Sequence, residues 1–147
     1  MISGSRPAFL DQMKSNFQFI STAFNCTVTR EYFINQESFG DDLAAWMIAR
    51  LNEKGFETSP KPEQEDFGWY FNFKINGVEH CVVVGFQPND PEKGDCWIGW
   101  VERSVGFFGS ILGGRNRGVL SEAITLIDEI LNSEPQIRDL SWNLKDD

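Results

Sequence analysis

Histidine occurs once in the 147 residues, at position 80, so proton transfer near neutral pH, or imidazole ligation of a metal, has to pass through that side chain. One histidine cannot build a typical zinc site, and neither an HExxH run nor a Cys–His ligand spacing accompanies it. His80-Cys81 offers a thiol beside an imidazole, the pair a cysteine hydrolase uses. Adjacent residues of a strand point to opposite faces, however, so the two side chains should diverge. The expected role of His80 is structural, packed and hydrogen-bonded. An enzyme would have to couple it to an acid such as Glu79 or Glu102, and no residue is assigned a catalytic role.

Paired acids occur at Asp41-Asp42, Glu65-Asp66 and Asp146-Asp147. Helix capping accounts for the first pair and a chain terminus for the last. Glu63, Glu65 and Asp66 lack the ligand spacing of an EF-hand, so a solvated acidic loop is expected, with no metal and no cofactor.

The segment from Ser104 to Gly118 holds the most unusual chemistry. It contains five glycines, the apolar Phe107, Phe108, Ile111 and Leu112, and, with Arg103 just before it, the acid-free cations Arg103, Arg115 and Arg117. It has no Gly-Lys-Ser/Thr and no Gly-x-Gly-x-x-Gly after a strand, so it is not a phosphate loop of known spacing. Its position before a helix still suits an anion, because helix N-termini present unpaired amides and Arg adds paired donors. Two readings stay open. Either the four apolar side chains fold back onto the core, or the segment is an interaction loop that offers them to a partner.

The elements that must position these residues are legible from periodicity and turn chemistry. Residues 69–75 alternate Trp69, Phe71, Phe73 and Ile75 against Tyr70, Asn72 and Lys74, and Asn76-Gly77 then supplies a two-residue hairpin turn. That turn sets Ile75 opposite Val78, Phe73 opposite His80, Phe71 opposite Val82 and Trp69 opposite Val84, with Lys74 facing Glu79. A third meander strand is expected over 96–103. One helix begins after Ser38 or Gly40 and ends at Lys54-Gly55, with Leu43, Trp46, Met47 and Leu51 as its buried stripe. A second covers roughly 119–132 through Leu120, Ala123, Ile124, Ile127, Ile130 and Leu131, and Pro135 follows it. Further strands are expected within 24–34, around Phe56, and at Leu140, Trp142 and Leu144. Residues 1–15 read as a short helix or a partly ordered tail. The fold class is therefore α+β, a mainly antiparallel sheet in the order β-α-β-β-β-β-α-β with two helices on one face.

Composition bounds the rest. The length fits a single domain over 1–147, and 41% hydrophobic content with 13 Phe and 5 Trp supplies a core. A net charge of −9 opposes binding to phosphate backbones and to anionic membranes and favours a basic partner. Three cysteines, Cys26, Cys81 and Cys96, make an odd count without CxxC, and are expected as buried or half-buried thiols in a reducing compartment. No signal peptide pattern opens the chain, and the expected location is cytoplasmic. The leading functional expectation is a small non-catalytic protein-binding domain, of inhibitor, immunity or chaperone-like kind, with a homo-oligomer permitted. The alternative is a small-molecule or anion-binding domain built on the Gly/Arg-rich loop, and the third reading is an enzyme relying on His80.

Overall fold

Asn76 and Gly77 both adopt positive φ, 54° and 75°, the combination that lets two strands turn back on each other within two residues. The strands they join are β3 (Gly68–Ile75) and β4 (Val78–Asp90). Their register is the expected one, with Ile75 opposite Val78, Phe73 opposite His80, Phe71 opposite Val82 and Trp69 opposite Val84. Lys74 faces Glu79 as expected, although its ammonium lies 3.8 Å from Glu57. A computed structural model describes residues 13–66, 68–104 and 118–146.

Around this hairpin stands a six-stranded sheet in the order β2-β3-β4-β5-β1-β6, where β1 is Met13–Ile20, β2 Glu63–Glu65, β5 Gly94–Arg103 and β6 Arg138–Asp146. Every pairing is antiparallel. Among the described residues the helices are α1 (Asp41–Glu53) and α2 (Ser121–Asn132). The class and element order expected from the sequence hold.

Both helices bury their apolar sides on one face of the sheet. Leu43, Met47 and Leu51 of α1 and Ala123, Ile127, Ile130 and Leu131 of α2 share one cluster with Phe17, Phe71, Phe73, Val82 and Val101. Burying a side chain of this size contributes roughly 2 kcal/mol each. Gly99 lets this layer close down onto the sheet: a Cβ there would stand 2.4 Å from Phe17 Cζ and 2.6 Å from the Val83 carbonyl.

Several positions differ from expectation, each for a local reason. The first strand is not within 24–34 but at Met13–Ile20, which takes residues 13–15 into the sheet; the remainder of the expected tail lies outside the described residues. Residues 24–34 turn instead, because Asn25 Oδ1 accepts the backbone N–H groups of Thr27 and Val28 and folds the chain on itself. Near Phe56 there is only a bridge between Thr58 and Phe73, while the expected acidic loop supplies β2. Helix α1 begins after Gly40, and Ser38 makes no cap; its carbonyl instead accepts the Trp69 indole N–H at 2.9 Å. Trp46 is only partly buried, resting on Phe24 at 5.7 Å, and Ala44 and Ile48 complete the stripe in its place.

Candidate functional site

His80 sits at zero exposure on the helix-facing side of β4, stacked on Phe73 with ring centroids 5.7 Å apart. Its Nε2 accepts the backbone N–H of Leu120 at 3.1 Å, so the proton resides on Nδ1, which donates to the Val78 carbonyl at 3.3 Å. Only the neutral ring can make both bonds. Burial, ahead of every other influence, lowers its pKa from the usual 6.5. The imidazole is thus occupied in joining β4 to the start of α2.

The groups that chemistry would need beside it are elsewhere. Cys81 projects to the other face of the sheet, where burial and the neighbouring Glu102 push its thiol up to about 12. Glu102 pairs with Cys81 across that same face and accepts the Trp100 indole N–H at 2.7 Å. Glu79, adjacent to His80 in the strand, also points away from it. Cys26, Cys81 and Cys96 are free thiols, the first two half-buried and the third buried, as expected.

Of the predicted binding residues, the structure places Arg103 opposite His80 at the end of β5, half-buried and directed to the side on which α2 begins. Phe107, Phe108, Ile111, Leu112, Arg115 and Arg117 lie outside the described residues. A concavity of about 340 Å³ on the other face of the sheet is lined chiefly by uncharged polar groups, among them Asn16, Gln18, Gln87 and Asn143 beside Trp100.

The residues that sequence reasoning missed lie between β1 and α1. Val28, Tyr32 and Ile34 are the large hydrophobic residues left exposed among the described residues, at 58%, 61% and 86%. They are held out by design of the loop. Phe33, between two of them, is buried against Trp69 at 5.1 Å and anchors the segment. The Tyr32 hydroxyl donates to the buried Asp41, whose Oδ2 also lies 3.4 Å from Arg30 Nε. Asp42 accepts the Asn25 N–H at 2.8 Å, and its burial raises its carboxyl pKa above the ordinary value.

A second clasp ties this loop to the edge of the sheet. Gln64 Oε1 accepts the N–H groups of Ile34 and Asn35, its Nε2 donates to the Asn35 carbonyl at 2.8 Å, and Asn35 Nδ2 donates to the Asp66 carbonyl at 3.1 Å. Ile34 is therefore tied to the edge that carries Glu63, Glu65 and Asp66, and Glu31 and Glu37 are exposed in the loop itself. Asn25 and Asn35, on either side of the run, were the available signal that it is a looped anchor and not a strand.

Among the described residues no group of three or more His, Cys, Asp or Glu side chains could hold a metal, and no helix is long and apolar enough to cross a membrane. Comparison with known proteins found no matching family model, no matching curated protein and no matching solved structure.

Proposed function

We propose that this chain is a non-catalytic protein-binding domain whose acidic surface takes a basic partner, in the manner of an inhibitor, an immunity protein or a dedicated chaperone. The observation that carries the reading is the loop at residues 28–37: Val28, Tyr32 and Ile34 are exposed, while the Tyr32 hydroxyl donates to Asp41, the Ile34 N–H to Gln64 and the Val28 N–H to Asn25, and the exposed Glu31 and Glu37 lie in the same loop. Apolar residues at the centre of a charged rim are the arrangement by which interfaces combine affinity with steering. The net charge of −9 extends the same preference to the whole chain.

The test places a photo-crosslinking residue at the exposed position 31 of the same loop, leaving Tyr32 and Ile34 in place, and asks what it captures in lysate of the source cells. The expected product is one basic protein, captured less as salt rises and lost in Ile34→Asp or Tyr32→Ala. A partner captured equally well by wild type and both variants, or no discrete partner at all, overturns the reading.

A further inference from the structure

The face of the sheet turned away from the helices carries side chains that strands seldom use. Pairing sets Asn143 of β6 opposite Asn16 of β1, and Asn16 opposite Trp100 of β5. In the next row on that face Ser141 lies opposite Gln18, and Gln18 opposite Ile98. These two rows line the concavity of about 340 Å³, with Gln87 and Asp90 of β4 at its border. Asn is depleted in strands because its short amide competes for backbone hydrogen bonds. Here it stands at mid-strand in two neighbouring strands, and among the described residues neither side chain gains a hydrogen bond in return. A local rule broken without structural return marks a place to look for a ligand.

The other polar groups of the concavity are held in fixed orientations. Gln18 Nε2 donates to Cys96 Sγ at 3.4 Å and Gln87 Nε2 donates to Asp90 Oδ1 at 3.3 Å, so each keeps its Oε1 as an acceptor. The Trp100 indole N–H is bound to Glu102 at 2.7 Å, which steadies the ring. Among the described lining residues Asp90 is the one carboxylate, and no lysine or arginine joins it. Besides Gln87, Asp90 accepts the N–H groups of Glu92 and Lys93 at 3.1 and 3.0 Å. The concavity thus has no cation to hold an anion, and its carboxylate is already engaged within the turn.

We propose that this concavity binds a neutral sugar. A sugar hydroxyl both donates and accepts hydrogen bonds, and an amide side chain offers the two complementary partners side by side. Asn16 and Asn143 supply both kinds, and Gln18 and Gln87 add fixed acceptors. A pyranose also has a face of C–H groups, and the half-buried Trp100 and Ile98 give that face apolar surface in the same concavity. The volume lies at the low end of small-molecule sites, which suits a short saccharide. The site is separate from the loop at residues 28–37, which is tied to β2 at the far margin of the sheet.

Nuclear magnetic resonance titration of the full chain tests this, with neutral trisaccharides of glucose, mannose, galactose, xylose and N-acetylglucosamine as probes. At least one is expected to shift the side-chain amide signals of Asn16, Gln18 and Asn143 saturably, with a Kd in the millimolar range or below. Asn143→Ala and Trp100→Ala should each weaken that binding by about tenfold or more. Asn143 is exposed, so its variant should keep the backbone spectrum of wild type and decides the matter should Trp100→Ala fold poorly. No saturable shift with any of the sugars overturns the proposal. So do shifts that glycerol reproduces at equal concentration, or an affinity unchanged by Asn143→Ala. Tighter binding of adenosine than of every sugar at the same signals overturns the assignment of ligand class.

Discussion

The imidazole of His80 accepts the backbone N–H of Leu120 across 3.1 Å, bridging forty positions of sequence to hold the start of α2 against β4. The bond exists only while the ring is neutral, which ties the stability of the fold to pH. In the folded chain burial holds the pKa of His80 below 6.5, whereas the unfolded chain titrates at that ordinary value. Between the two values the unfolded state binds more protons, so the contribution is fully present above about pH 6.5 and is lost as the pH falls below it. Asp42 acts in the opposite sense, since its raised carboxyl pKa relieves a penalty as the pH falls through its folded value. Urea midpoints should therefore drop from about pH 7.5 to about pH 5.5 in wild type, and His80→Gln, less stable at both, should drop less. Parallel declines in the two proteins would assign the pH dependence to other groups.

Cys81 is expected to be unreactive. With its thiol pushed up to about 12, almost none of it is thiolate at neutral pH, and the thiolate is the nucleophile. Under native conditions a disulfide reagent should label Cys81 far more slowly than after denaturation, by mass spectrometry of the modified peptides. Prompt labelling of Cys81 in the folded chain would show that its surroundings are more open than the structure has them.

Gly77→Val should destabilise the chain by about 1–3 kcal/mol, because φ of 75° is a region β-branched residues resist. A lowered urea midpoint at unchanged slope is the expected signature. A variant as stable as wild type would mean that the turn relaxes into another type without loss.

The two large residues Trp46 and Met47, adjacent in α1, should separate in their effects. Met47 is wholly buried, so its truncation to alanine should cost about 2–5 kcal/mol, as emptying a core site does. Trp46 lies at the margin on Phe24, and Trp46→Ala should cost less than Met47→Ala despite deleting more atoms. The reverse order by urea unfolding would return Trp46 to the core.

What could be read from the sequence was whatever local chemistry dictates. The Asn76-Gly77 turn determines every facing pair of the hairpin, and the apolar periods of α1 and α2 locate both helices within a residue or two. The first strand escaped because its outward positions, Asn16 and Gln18, are poor strand formers, whereas Thr27-Val28-Thr29 and Tyr32-Phe33-Ile34 are good ones. Tertiary contacts reversed that preference: Phe17 and Phe19 enter the core, and Asn25 and Gln64 bind the other run as a loop. Strand β2 owes its existence to pairing with Tyr70, Trp69 and Gly68, which nothing in Glu63-Gln64-Glu65 foretells. The binding candidate was hidden for the same reason, since exposure of Ile34 follows from where Phe33 is anchored and not from the residue itself.

The two margins of the sheet are unequal, and the inequality decides how the molecule behaves in a crowd. One ends in the nine residues of β6; the other ends in β2, three residues long, with exposed Glu63 and Glu65 and with Pro60-Lys61-Pro62 immediately before it. Fibres grow when each unit offers an adhesive edge at both ends. A second copy approaching β2 would meet carboxylate with carboxylate over a span too short to compensate. A strand this short and this acidic is a poor template for sheet extension, so this margin of the sheet offers little to an approaching strand.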